Sequence, residues 1–485
     1  MRVLAHLEPA EVFRYFEEIA QIPHGSGNTR LISDYLVRFA KERRLEVIQD
    51  ASGNVVIRKD GTEGYENSGT VMLQGHMDMI CEKEPWCTID LEHEGLALKV
   101  EDGIVSAEGT TLGGDDGIAV AYMLALLDSD SIPHPPVEAV FTVDEEIGML
   151  GAAALDKSGL KARYMINIDS EEEGYLLTSC AGGAAVVCRL VSEREACTGT
   201  AAYLTVTGGL GGHSGVDIDK GRANADRILG RALRRMIRDA DFRIISAEGG
   251  TKDNAIPARA RAKLLFINEE DAEAAGRALA EADREVRAEY RETDPEITLS
   301  LTEDTDPGGQ PLPMTKDLTE RFIGALCDLP GGVQRMSEDI PGLVKTSLNL
   351  GILETDDDGI RMTFSVRSSE NREKEDLIRC METVMKSHGG TLARFGDYPA
   401  WEYRRDSRLR DLMVEIFEEM YGRKPVVHAI HAGVECGHFA GTMPDLDCIS
   451  IGPDMHDIHT PRERLDAASV KRTWEYLLEV LRRLK

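Results

Sequence analysis

Residues 70–80 read TVMLQGHMDMI, and the rest of the chain is best read outward from them. The apolar run Val71-Met72-Leu73 has the character of a buried strand, and it delivers His76 and Asp78 two residues apart. In a strand that spacing puts both side chains on one face. An imidazole at the end of a buried strand can bind a metal ion, and a neighbouring carboxylate can orient the ring or polarise its surroundings. Taken alone, the pair is also a histidine capping a strand beside a solvated aspartate. The segments that follow decide between the two.

Around this stretch, apolar residues three and four apart predict amphipathic helices over 8–22 and 28–44. Strand character recurs at 45–49, 54–58, 137–146 and 164–169, and two short strands flank a turn at Gly103. The Gly-rich turn TLGGDDG (111–117) opens a helix running to Leu127. Strands alternating with helices predict an α/β domain with a mostly parallel central sheet. Chemistry in such sheets gathers beyond the carboxyl ends of the strands. His76, Glu145, Glu146 and Asp169 all fall at such ends.

The pattern changes near Ala181-Gly182-Gly183. Strands are expected at 200–208, 241–249, 258–267 and 296–302, with helices at 219–238 and 270–293. A Pro/Gly-rich joint at 306–313 separates these from helices at 314–329 and 371–388 and strands at 344–352, 360–368 and 391–397. The second set roughly repeats the order of the first, as a duplicated α+β unit would. From about residue 397 the α/β pattern returns, with helices at 407–421 and 466–484 and strands near 425–430 and 447–451. The simplest architecture is one α/β domain built from 1–183 and 397–485, interrupted by an inserted α+β domain over 184–396.

At 485 residues the chain exceeds one ordinary core. Its formal charge of −30 argues against nucleic acid or an anionic membrane as partner, since phosphate binding needs clustered Lys and Arg. The nine cysteines are odd in number and contain no CxxC pair, which does not suit a disulfide framework. No apolar stretch is long enough to span a bilayer, and the first residues lack a signal-peptide core. A cytoplasmic protein is expected.

Five groups are spaced so that separate strands and loops could bring them together: His76, Asp115, Glu146, Asp169 and His459. Two imidazoles with three carboxylates suit zinc, or manganese or cobalt, better than a thiolate-preferring ion. Three carboxylates exceed the needs of one zinc. A carboxylate shared between two ions roughly 3.5–4 Å apart would use them all. In Asp144-Glu145-Glu146 one carboxylate can coordinate while its neighbour stays free as a base. Each segment also has a plainer reading: a solvated acidic strand end, Asp115 as a helix N-cap, and His459 as a surface histidine with His456 as its rival.

The motifs HMDMICEK (76–83), TLGGDDGIA (111–119), FTVDEEIGMLGA (141–152), NIDSEEEG (167–174), GGHSGVDI (211–218), NAIP (254–257), VRSS (366–369), HAGVECG (431–437) and HTPRE (459–463) occur in this order. In this they resemble the aminoacyl-histidine dipeptidases, also called cytosolic non-specific dipeptidases, within the co-catalytic zinc exopeptidases. The resemblance implies a zinc-exopeptidase-like catalytic domain with an inserted lid or dimerisation domain, and two zinc ions per subunit. His76 and Asp169 would hold one ion, Glu146 and His459 the other, and Asp115 would bridge them. Asp78 would orient His76, and Glu145 would be the base. His213 would reach the site of a neighbouring subunit, making a homodimer the active unit. Asn254, Arg367 and the Gly433 backbone would grip the substrate carboxylate. The implied activity is hydrolysis of dipeptides, including Xaa-His. A tripeptide aminopeptidase, an N-acyl amino acid deacylase and a non-catalytic metal-binding protein are the alternatives. Gly114 before the metal Asp and Asp-Ile before His459 depart from the usual family pattern without removing a ligand.

Overall fold

The computed structural model of the protein describes residues 2–305 and 312–485. All but the last two residues of the expected joint at 306–313 lie outside the described residues. The chain packs as two compact units. The first comprises Met1–Cys180, Trp401–Ala429 and Val434–Lys485; the second comprises Ala181–Ala400 with Ile430–Gly433.

The first unit is built on an eight-stranded sheet. Its strands are β1 (Glu46–Gln49), β2 (Val55–Lys59), β3 (Val71–His76), β4 (Val137–Thr142), β5 (Tyr164–Asn167), β6 (Tyr175–Cys180), β7 (Val426–Ile430) and β8 (Asp447–Ser450). They lie in the order β1-β2-β4-β3-β5-β8-β6-β7. The central strands β4, β3, β5 and β8 run parallel, while β1, β2 and β6 pair antiparallel with their neighbours. Every residue of β3 and β4 is buried, as strands covered on both faces require.

The long helices of the unit are α1 (Ala10–Ile19), α2 (Arg30–Glu42), α3 (Gly114–Asp128), α4 (Arg408–Tyr421) and α5 (Ala467–Arg483). α3 is buried from Gly114 to Leu127, with an unbroken apolar run from Ile118 onward; a helix hydrophobic all round belongs inside a core. Its Tyr122 stacks on Trp474 of α5 at 5.4 Å, and its hydroxyl donates to the Val470 carbonyl. α1 is amphipathic instead, burying Val12, Phe13, Tyr15, Phe16 and Ile19.

The strands end sooner than their composition suggests. β3 stops at His76, β4 at Thr142 and β5 at Asn167. The last pairs of β3 with its neighbours are His76 with Thr142 and Gln74 with Asn167, and past them Met79 makes an isolated bridge to Gly25. This corrects the opening argument: Asp78 lies past the strand, so it does not share a strand face with His76. Asp78, Glu145, Glu146 and Asp169 all sit on loops just past the carboxyl ends.

The second unit holds a nine-stranded sheet. Its main path runs Thr298–Glu303, Thr200–Thr207, Ala260–Phe266, Phe242–Gly249, Val344–Asp356, Gly359–Ser368, Gly182–Val191, Thr391–Tyr398, and Gly332–Met336 pairs with Val344–Asp356. The two sets of strands read in the sequence are thus halves of one sheet, joined where Gly249 pairs with Leu353. The long strand Gly182–Val191 was not anticipated. The helix expected over 219–238 begins only at Ala225: Gly221 turns the chain with φ 65°, and the Asn224 side chain caps the new helix by accepting from the Arg227 N–H.

Candidate metal centre

Asp115 enters the site on the turn before α3. Gly113 takes the left-handed region at φ 65°, where a side chain would also press against the Met79 sulfur. Asp115 and Asp116 have non-helical backbone, so the regular helix starts after them. No residue of the turn caps the helix with its own side chain. Glu463, from the loop that follows His459, does so. Its Oε2 accepts from the N–H groups of Leu112 (2.7 Å) and Gly113 (3.1 Å), and its Oε1 from those of Gly114 (2.8 Å) and Asp115 (3.4 Å). One buried carboxylate thereby ties the Asp115 turn to the His459 loop.

The two oxygens of Asp115 face different imidazoles. Its Oδ1 is 3.1 Å from His76 Nε2, and its Oδ2 is 3.1 Å from His459 Nε2. His76 Nε2 also faces Asp169 Oδ1 at 3.6 Å, and His459 Nε2 faces Glu146 Oε1 at 2.9 Å. The five residues singled out in the sequence are therefore brought together as two sets that share one carboxylate. His456 pairs with Arg464 in a short strand ladder and is not part of this arrangement. The His459 side chain is 45% exposed, against 1% for His76, so the site opens to solvent on the His459 side.

Other side chains aim these groups. His76 Nδ1 lies 2.9 Å from the backbone oxygen of Asp78 and 3.5 Å from its carboxylate. The carboxylate is engaged elsewhere: it accepts from the N–H groups of Glu145 and Glu146 and from the Ser26 hydroxyl. Asp78 therefore anchors the loop of Glu145 and Glu146 as well as His76. Asp116 is fully buried and accepts the His76 N–H at 3.1 Å. One oxygen from each of Glu145 and Glu146 and one nitrogen of His76 fall within 4.8 Å of one another, which leaves Glu145 beside the shared carboxylate set.

The electrostatics fit a cation. Burial opposes a charge on His76, but Asp115, Asp169 and Asp78 outweigh it and hold the imidazole well above its usual value. His459 is pushed up to about 10, by Asp115 first and Glu146 second. Burial lifts Asp169 to about 6 and Glu145 well above the carboxylate range. So many carboxylates cannot share a buried pocket as anions without positive charge among them. Two clusters of nitrogen and oxygen donors with a shared carboxylate match the chemistry of a pair of divalent cations.

In the second unit Gly212-His213 pairs with Ala255-Ile256, and the Ser214 N–H donates to the Asn254 carbonyl at 2.8 Å. His213 and Asn254 are thus held together. Arg367 donates to the Tyr398 hydroxyl at 3.2 Å. Its charge adds to burial in lowering His213 and in pushing His431 down to about 3. His431 Nε2 is 2.7 Å from the Ser347 hydroxyl, and Gly433 follows two residues later. The sequence reading gave Ser347, His431 and Glu463 no part. His431 and Glu463 sit inside quoted motifs, the only sign the sequence offered of them.

Comparison with known proteins gives a consistent result. Residues 72–483 match the family described as peptidase family M20/M25/M40. The cytosol non-specific dipeptidase of Escherichia coli (strain K12) is 34% identical over 487 aligned residues, covering 100% of this chain and 99% of that one. The crystal structure of the aminoacylhistidine dipeptidase from Vibrio alginolyticus superposes with a TM-score of 0.92 at 33% identity, covering 99% of this chain and 97% of that one. The aminopeptidase PepT from Bacillus cereus ATCC 10987 shares the fold with a TM-score of 0.56 at 18% identity, covering 99% of each chain.

Proposed function

The chain belongs to peptidase family M20/M25/M40, and from that premise we propose that it is a metal-dependent dipeptidase acting on dipeptides with a free C-terminal carboxylate, Xaa-His among them. The observation that carries the reading is Asp115: each of its oxygens faces a different imidazole, while Glu145 stands by unshared between the two sets. Support for the substrate class comes from the two full-length relatives, both dipeptidases by name.

His76 and Asp169 would hold one cation, His459 and Glu146 the other, and Asp115 both. The donor set suits zinc, with manganese or cobalt as substitutes. Such a pair supplies Lewis acidity, polarising the scissile carbonyl and lowering the pKa of water. Glu145 takes the proton from the attacking water and returns it to the departing amine. Burial lifts its pKa well above the carboxylate range, towards that of a base that can also give its proton back. Asp78 keeps Glu145 in place through its backbone N–H. His213 donates to the carbonyl oxygen as charge develops on it. Asn254, Arg367 and the Gly433 N–H hold the substrate carboxylate, Arg367 by planar two-point bonding. The same reading makes the active form a homodimer through the second unit, with His213 acting on the partner copy's substrate, and places the protein in the cytoplasm. Among the described residues, no helix is long and apolar enough to cross a membrane.

A substrate panel with metal analysis tests the proposal. Xaa-His and general dipeptides are hydrolysed, chelation stops turnover, and zinc, manganese or cobalt restores it. Preference for tripeptides or N-acyl amino acids would move the assignment to a related amidohydrolase. A metal-loaded protein that cleaves none of them would refute it.

A further inference from the structure

Beneath the metal centre, within the first unit, lies a second polar cluster that the mechanism does not use. Glu435 is fully buried at the start of the short helix Cys436–Ala440. Its Oε2 accepts from Gln74 Nε2 at 2.6 Å and from the Thr142 hydroxyl at 2.7 Å. Gln74 passes the connection on: its Oε1 accepts from Asn167 Nδ2 at 2.7 Å. All four side chains are shielded from solvent.

The positions of these partners matter more than their number. Gln74 is on β3, Thr142 on β4 and Asn167 on β5, which are adjacent parallel strands. His76 comes two residues after Gln74, Asp169 two residues after Asn167, and Glu145 and Glu146 three and four after Thr142. Each partner thus lies on a strand that leads, within four residues, to a group of the metal centre. Glu435, from a distant part of the chain, bonds directly to β3 and β4 and reaches β5 through Gln74, so one network joins the ends of three strands that lead to the centre.

The cluster also has a cost. Glu435 Oε1 and Asn167 Oδ1 are buried and have no hydrogen-bond partner. A buried acceptor left unpaired is destabilising, and an apolar side chain of similar volume would avoid it. A role in packing alone does not account for a carboxylate here. Partners of metal ligands, by contrast, commonly tune affinity through such contacts.

We propose that Glu435 is a positioning residue of the metal centre, clamping the carboxyl ends of β3, β4 and β5 so that His76, Glu145, Glu146 and Asp169 converge on the cations. This rests on the dipeptidase reading above, and the test separates the two. Zinc and cobalt affinities are measured by chelator competition, with the visible spectrum of the cobalt-loaded protein, for wild type, Glu435→Ala, Glu435→Gln and Thr142→Val. Glu435→Ala weakens metal binding about 10–100-fold, changes the cobalt spectrum and lowers kcat more than it raises KM. Glu435→Gln, whose amide oxygen can accept from both donors, recovers most of the lost affinity. Thr142→Val removes one donor without changing the side-chain shape and gives a smaller loss of the same kind. A merely structural role would lower the unfolding temperature of the chelated protein and leave affinity and spectrum as in wild type. That result in Glu435→Ala overturns the proposal; should that variant not fold, unchanged metal binding in Thr142→Val overturns it. A wild-type protein that binds no divalent cation overturns the dipeptidase reading instead.

Discussion

Glu463→Gln tests how the Asp115 turn is held. Each oxygen of the wild-type carboxylate accepts from two buried N–H groups, with three contacts at 2.7–3.1 Å and one at 3.4 Å. An amide keeps one acceptor and turns an NH2 toward the other pair of donors. If its oxygen stays with Leu112 and Gly113, the Gly114 N–H loses a good partner and the Asp115 N–H a weak one. An orphaned buried donor costs about 1–3 kcal/mol. Removing a negative charge from the start of α3 costs about 0.3–1 kcal/mol more. The sum is about 1–4 kcal/mol, or about 3–15 °C in the transition of a domain of this general size. Calorimetry of the chelated protein reads this term without the metal's contribution. Chelator competition reads the second consequence, a tenfold or greater loss of zinc affinity, because Glu463 joins the turn of Asp115 to the loop of His459. A variant that melts with wild type and binds zinc equally well would show that the four contacts do not hold the site.

Three further outcomes are expected. Glu145→Ala keeps its metal content while kcat falls about 10²–10⁴-fold, the usual contribution of a positioned base; normal turnover would remove Glu145 from that role. Mixing His213→Ala subunits with Glu145→Ala subunits restores part of the activity if His213 serves the partner copy, and hybrid dimers without recovery would place it in cis. Asp226, buried in the second unit over Gly249 with both carboxylate oxygens unpaired, is held well above the carboxylate range by burial. The folded protein keeps this proton at pH values where the unfolded chain has lost it, so stability falls as pH rises from about 4 toward the folded-state value. Asp226→Asn removes that slope and raises the unfolding midpoint at neutral pH, which urea titrations across pH would show.

Much of this was legible in the chain. The apolar run of α3 and the buried strands around TVMLQGH announce themselves by composition, and the acidic motifs mark where strands deliver the candidate ligands. What stayed hidden has physical reasons. The end of β4 is set by its last pairing with β3, not by its own residues, so the strand looks four residues longer in sequence than it is. Gly182–Val191 does alternate, with Ala184, Val186, Cys188 and Leu190 buried, but its opening glycines mask the pattern. Glu435 and Glu463 are two carboxylates among 86 acidic residues; only the fold reveals that one meets two strands, and a third through Gln74, and the other a helix start. Asp78 was expected to orient His76; it lies beside that ring at 2.9 Å through its backbone oxygen and 3.5 Å through its carboxylate, and the same carboxylate also accepts from the loop of Glu145 and Glu146, which the sequence did not signal.

The order of the ligands along the chain has a consequence during synthesis. His459 follows Asp115 by 344 residues. At roughly 5–20 residues per second, a ribosome needs about 20–70 s to travel from one to the other. For most of that interval, once Asp169 has been made, the nascent chain carries His76, Asp115, Glu146 and Asp169 without His459 and Glu463. On the proposed reading, a product released before His459 would keep His76 and the acidic candidate ligands but lack the second imidazole, and with it a working centre.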